Sequence, residues 1–151
     1  MITFAVEPYR DVIEELKPLF PGHWDELALN KDKVPLDPRY EVYEAKDAAG
    51  EVMMVIGREA GAIVAYFVGF ISPGLHYKTC LTCQGDIFYV VPEKRNGTAG
   101  VKMFAFVKAE CRRRGVQRMF VGSKNHKASA SLLQFVGGTE IETYFSFWLG
   151  E

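Results

Sequence analysis

Between Val90 and Val101 the chain reads VVPEKRNGTAGV, a run holding an arginine, an asparagine, a threonine and two glycines. The apolar stretch DIFYVV leads into it, and the amphipathic stretch AGVKMFAFVKAECRRR follows it. A glycine-broken turn at the start of a helix presents free backbone N–H groups with the positive end of the helix dipole behind them. Glycine lets that backbone approach a ligand closely, and successive N–H groups form a nest for an anion. Lys94 and Arg95 add formal charge. The turn is a candidate phosphate pocket, and the rest of the chain must say whose phosphate it holds.

A carboxylate stands close by. Asp86 opens the apolar run before the turn, and strand alternation puts Asp86, Phe88 and Val90 on one face. Such an Asp is either a base aimed into a channel or a turn cap after Gly85. His76, Cys80 and Cys83 spell H-x3-C-x2-C, but a structural zinc needs four ligands and no second pair is near, so no metal is expected. A redox C-x-x-C would open a helix, whereas CLTC precedes a strand. His23 with Trp24, and His76 with Tyr77, are candidates either for ordinary packing or for the walls of a substrate pocket.

Elements must position these groups. ITFAVEP reads as a strand, and YRDVIEELKPLF as a helix ended by Pro21-Gly22. HWDELAL reads as a second helix, and NKDKVPLDPRYE as a loop. EVMMVIGREAGAIVAYFVGFI is a hairpin turning at Glu59–Gly61, and SPGLHYKTCLTC connects it to the strand GDIFYVVPE. A helix over 99–114 buries Val101, Phe104, Val107 and Cys111 and stops at Gly115. VQRMFVGSK is a strand, KASASLLQFVGG a helix, and TEIETYFSFWL a final strand or bent pair. The expected fold is α/β: a mixed, mostly antiparallel sheet of about six to seven strands with helices on both faces and one parallel crossover.

The 151 residues suit one domain over 1–151, with 48% hydrophobic and 25% charged residues as in soluble globular chains. No membrane-length apolar run or secretory h-region is read, and three cysteines form no even disulfide framework, so a cytoplasmic setting is expected. The net charge of −1 argues against a general nucleic-acid track. Yet the ten Lys and Arg between residues 92 and 127 face only Glu93 and Glu110, which suits one compact polyanion. Arg112, Arg113 and Arg114 can equally serve the negative end of their own helix.

The element order, the V-x-P-E strand end at Val90, Pro92 and Glu93, and the loop from Arg95 to Gly100 resemble the GNAT (GCN5-related N-acetyltransferase) superfamily. The family loop reads R/Q-x-x-G-x-G/A; here Arg95 and Gly100 match, Thr98 stands at the first glycine, and Gly97 lies one position earlier. Residues 50–149 carry the resemblance most clearly, and HYKTCLTCQGDIFYVVPEKR with GHWDELALNKDKVPLDP is most similar to small bacteriophage-encoded members.

The resemblance implies an acetyl-CoA-dependent acyltransferase acting on a primary amine by direct transfer. It implies that Arg95, Asn96, Gly97, Thr98, Ala99 and Gly100 hold the pyrophosphate of coenzyme A, that the Val90 and Val91 backbone meets the pantetheine, and that Asn125 contacts the cofactor. It implies Asp86 as base, while the family's usual tyrosine acid is replaced by Leu133 in LLQFVGG, leaving Tyr144 or Tyr89 as proton donor. His23, Trp24, His76 and Tyr77 would face a small-molecule or protein amine. A catalytically inactive binding protein on the same fold is the alternative. A homodimer through YFSFWL is compatible with the sequence, and no membrane partner is expected.

Overall fold

The structure, a computed structural model, describes residues 1–151. Strand β1 (Thr3–Val6) leads into helix α1 (Tyr9–Leu16), whose Tyr9, Val12, Ile13 and Leu16 recur at helical spacing and are all buried. A 3₁₀ turn over Lys17–Leu19 passes directly into α2 (Phe20–Leu27). Pro21 and Gly22 therefore do not end a helix. They lie in the first turn of the next one, where a proline has no intrahelical N–H bond to lose.

Helix α3 (Tyr40–Ala48) begins at the end of the expected loop and runs through residues to which the sequence reading gave no element. None of its residues is fully buried, so no apolar stripe marks it; what it carries is helix-forming Glu, Ala and Lys. Strands β2 (Val52–Glu59), β3 (Ala62–Pro73), β4 (Leu81–Val90) and β5 (Arg118–Phe120) join β1 in one sheet of order β1-β2-β3-β4-β5. The first three pairings are antiparallel and β4–β5 is parallel, with α4 (Ala99–Arg113) forming the crossover. The β2–β3 turn places Ala60 (φ 50°) and Gly61 (φ 84°) in the left-handed region, the pattern of a type I′ hairpin.

Helices cover both faces, as expected. Val52, Met54 and Ile56 pack with α1, whereas Met53 and Val55 pack with Met103, Phe104, Val107 and Cys111 of α4. Burial of both faces explains why VMMVI is an uninterrupted apolar run. Helix α5 (Ala130–Phe135) lies so close to α4 that a Cβ on Gly100 would sit 2.9 Å from the Leu132 side chain. A side chain at position 100 would have to push the end of Leu132 aside.

The sheet has five strands rather than six to seven. Residues 139–149, read as a final strand, form no secondary structure, and no backbone hydrogen bond involves any residue beyond Gly138. No helix is long and apolar enough to cross a membrane.

Two irregularities of β4 shape the site. Its pairing with β5 covers only Thr82–Gln84, so the two strands part beyond Gln84 and Phe120. Its pairing with β3 slips between Val68↔Ile87 and Gly69↔Gly85, leaving Asp86 as the extra, bulged residue.

Candidate active site

Beyond Arg95, the N–H groups of the turn after β4 have no internal partners. Lys94 and Arg95 donate to Val91 and Pro92, and the first bond of α4 runs from Lys102 to Thr98. The N–H groups of Asn96, Gly97, Thr98, Ala99, Gly100 and Val101 make no hydrogen bond, with the fifteen residues of α4 aligned behind them. Thr98 makes no capping bond with its side chain, and Asn96, Gly97 and Thr98 are exposed. A Cβ at Gly97 would meet nothing nearer than the Lys94 carbonyl at 4.0 Å, so this glycine leaves open room above the turn.

The strand edge beside the turn is open as well. Val91 N–H donates to Val64 O at 2.9 Å, so antiparallel alternation turns the main-chain groups of Phe88 and Val90 away from β3. They face the side from which β5 has parted. Arg95 Nε donates to Val90 O at 2.8 Å, leaving the Val90 N–H and both Phe88 groups on that open edge. Val91 does not fit its expected role: its N–H is held by β3 and its carbonyl accepts from Lys94.

Arg95 acts as a clasp within the fold. Its Nη2 donates to Glu26 Oε1 at 2.8 Å, and its guanidinium lies 5.1 Å from the centre of the Tyr89 ring. The bond to Glu26 raises its already high pKa. Lys94 turns aside to pair with Glu59. Lys127 approaches the other Glu26 oxygen at 4.0 Å, and His126 Nε2 bonds Leu27 O at 3.1 Å. The end of α2 thus ties the turn before α4 to the β5–α5 connection. Asn125 lies in that connection, exposed and without a hydrogen-bond partner.

His23 is buried, stacks on Tyr89 at 4.8 Å and lies with Nδ1 2.6 Å from Tyr66 Oη. Burial lowers the pKa of its imidazole to about 4, so at neutral pH it is uncharged and can accept the Tyr66 hydroxyl proton. Burial also raises both tyrosines.

The bulge corrects the reading of Asp86. The extra residue breaks the alternation, so Asp86 does not share a face with Phe88 and Val90, which pack toward α4. It turns instead toward α3, where Tyr43 Oη donates to Asp86 Oδ2 at 2.5 Å, and it is exposed rather than enclosed by the sheet. Burial and this bond raise the Tyr43 pKa. Tyr43 escaped the sequence reading because α3 did. Glu26 and Tyr66 escaped it because only the tertiary fold brings them to Arg95 and His23.

The expected acceptor walls separate. His23 and Trp24 lie on α2, which meets β4 at Tyr89, whereas His76 and Tyr77 are exposed in the loop before Leu81. At ~3.3 Å per residue the two pairs lie at opposite ends of a strand about 30 Å long. Tyr77 instead receives Arg118 over its ring at 5.0 Å. Tyr144 is exposed on the C-terminal segment without a hydrogen-bond partner, and Leu133 packs apolar against the α4 layer. Cys83 turns into the core with Cys111 while Cys80 reaches Thr82, so the H-x3-C-x2-C residues do not converge. Arg113 and Arg114 are engaged by Glu110, at 2.7 Å each, and do not form a free basic face.

No family model and no curated protein matches the chain in sequence. Solved structures do match in shape. A GCN5-related N-acetyltransferase from Ralstonia eutropha superposes with a TM-score of 0.77 at 14% identity, over 99% of this chain and 100% of that one. A predicted acetyltransferase from Clostridium acetobutylicum, solved with acetyl-CoA, gives 0.76 at 15% identity over 99% and 97%. Glucosamine-6-phosphate N-acetyltransferase from Arabidopsis thaliana gives 0.73 at 13% identity over 99% of each chain. With the parted β4 and β5 and the unpaired turn at the start of α4, the chain has the fold of the GCN5-related N-acetyltransferases.

Proposed function

We propose that the chain is an acetyl-CoA-dependent N-acetyltransferase that moves an acetyl group directly to a primary amine of a small molecule or protein. One observation carries the reading: the unpaired N–H groups from Asn96 to Val101 and the open edge of Phe88 and Val90 lie together at one end of β4. The first suits a diphosphate and the second an extended arm bearing amides, the two parts of coenzyme A. Asn96 to Val101 would hold the diphosphate. The Phe88 groups and the Val90 N–H would hold the arm and polarise the thioester carbonyl.

In the transfer the neutral amine nitrogen attacks the thioester carbonyl carbon; the C–N bond forms, the C–S bond breaks, the nitrogen gives its remaining extra proton to solvent, and the thiolate takes a proton from solvent. A lysine-like amine at pH 7 must first lose its proton, at a cost of roughly 4–5 kcal/mol. Asp86 receives that proton, directly or through water, and Tyr43 fixes its carboxylate. Alignment of two bound substrates contributes roughly 7–11 kcal/mol in well-ordered sites.

The test is thermal unfolding with acetyl-CoA, for wild type and Gly97→Asp. A carboxylate at 97 meets no steric obstacle but faces the phosphates, so the unliganded protein should melt unchanged. Ligand at ~100 times its dissociation constant adds about 2.7 kcal/mol, a rise of several degrees, which the variant should lose. No rise in wild type at millimolar ligand overturns the reading. A rise retained by Gly97→Asp moves the phosphates elsewhere.

A further inference from the structure

Where β4 meets β5, the α1–α3 side of the sheet is open. The register puts Gln84 opposite Phe70 of the α1 layer, and Thr82 and Gln84 carry that side across to Arg118 and Phe120. Cys83 and Met119 turn to the α4 side. Gln84 and Arg118 are exposed, and Thr82 and Phe120 are half-buried. Asp86 stands on this same side, where Tyr43 holds it. The Arg118 guanidinium lies 5.0 Å from the centre of the Tyr77 ring and 5.1 Å from that of Phe120. Arg113 and Arg114 are held by Glu110, but the Arg118 side chain makes no ion pair and no hydrogen bond. A guanidinium placed by two rings, with its donors unspent, is prepared for a planar or tetrahedral oxyanion.

On the transferase reading, on which this inference rests, the cofactor arm runs along β4 from Val90 and ends near Asp86. The body of an acceptor whose amine reaches Asp86 must then leave in the other direction, toward Leu81. That path leads to Arg118, whose partner Thr82 lies four steps before Asp86, about 13 Å at ~3.3 Å per residue and less where the bulge shortens it. We propose that the acceptor is an amine carrying an oxyanion, a carboxylate or a phosphate, about 10–13 Å from its nucleophilic nitrogen. Asp86 takes the amine end and Arg118 the anionic end, with Gln84 and Phe120 as the floor between them. Opposite charges at the two ends fix the acceptor's direction. They also reject a polycation, which would set a second positive group against Arg118.

The experiment is titration calorimetry of the full chain at low salt, with and without saturating coenzyme A. The probes are tetraglycine, which extends to about 13 Å, its C-terminal amide, the amide of Gly-Gly-Gly-phosphoserine, and diglycine. The carboxylate and phosphate tetrapeptides should bind about five- to ten-fold more tightly than the neutral amide, and the larger gain names the preferred oxyanion. Diglycine, at about 7 Å, cannot reach both ends and should bind no better than the amide. Arg118→Gln should abolish the advantage of the acidic peptides and keep the rise in melting temperature with acetyl-CoA, the sign that it is folded. Arg118→Lys, which keeps the charge without the planar fork, should retain part of the advantage. Equal binding of acid and amide overturns the proposal, as does an advantage that survives Arg118→Gln or is equally large in diglycine. So does the failure of every peptide to bind at millimolar concentration. A wild type that acetyl-CoA does not stabilise sinks the transferase reading instead, and the titrations without coenzyme A still decide whether Arg118 holds an oxyanion.

Discussion

At the scale of single residues, the contest over Arg95 governs how the site receives a ligand. Its guanidinium is held by Glu26 and by the Val90 carbonyl, both at 2.8 Å, and the pair is partly exposed. A diphosphate on the neighbouring N–H groups would meet the Glu26 carboxylate as a like charge. Glu26→Gln should therefore tighten acetyl-CoA by about five-fold, near 1 kcal/mol, with a smaller gain at high salt. Titration calorimetry at two salt concentrations checks this, and an unchanged or weaker affinity would show that Glu26 only positions Arg95. Asp86→Asn should lower kcat by about 100-fold and leave the acetyl-CoA KM near wild type, as expected for a base. Tyr43→Phe should have a smaller effect of the same kind, since it frees Asp86 without removing it. Steady-state kinetics separate the two: a rise in KM alone for Asp86→Asn would make that carboxylate a binding group.

Among the elements, the β2–β3 hairpin carries the clearest local conflict. Ala60 occupies the first central position of a type I′ turn with φ 50°, a conformation that disfavours a Cβ by roughly 1–2 kcal/mol. Ala60→Asn should raise stability by about 0.5–1 kcal/mol, measured by urea unfolding, and a loss of stability would mean that the turn's side chain has a packing role. The turn itself was legible, because Gly61 punctuates two apolar runs. So were β1 to β4, the burial of Phe104, Val107 and Cys111 on α4, and the glycine-broken turn before it, where pattern and local chemistry agree; Val101 is only half-buried. Helix α3 was not, since none of its residues is fully buried and helix propensity alone competes poorly with a loop rich in Pro and Asp. The bulge was not, because one uncounted residue at Asp86 reverses the alternation on which the face assignment rested. The end of α1 was misplaced for a related reason: Pro21 punctuates a start as readily as a stop. Residues 139–149 alternate as a strand does but form none, because alternation alone supplies no neighbouring edge to pair with.

Across the whole molecule, acid stability should fall in two steps that belong to two faces of the sheet. His23, on the α1–α2 side, is buried and uncharged, with its pKa lowered from 6.5 to about 4 by burial. The unfolded chain therefore binds this proton first. The stability linked to His23 is complete above pH 6.5 and is lost as the pH falls toward 4, by about 2–3 kcal/mol. Glu110, on the α4 side, is held by Arg113 and Arg114, and the Arg113 bond above all lowers it from 4.5 to about 2. Its stabilisation is complete above pH 4.5 and disappears as the pH falls toward 2. Arg113 is 70% exposed, so solvent screening limits this second step to about 1–2 kcal/mol. Urea unfolding at a series of pH values should show the larger loss between pH 6.5 and 4 and a smaller one below. His23→Gln should flatten the first step and leave the second, because glutamine can still accept from Tyr66 but takes up no proton. Glu110→Gln should do the reverse and should also be less stable than wild type at neutral pH, where its two arginines lose their partner. If His23→Gln keeps the wild-type slope between pH 6.5 and 4, another group takes up the proton, and the buried imidazole is not what makes the α2 face acid-sensitive.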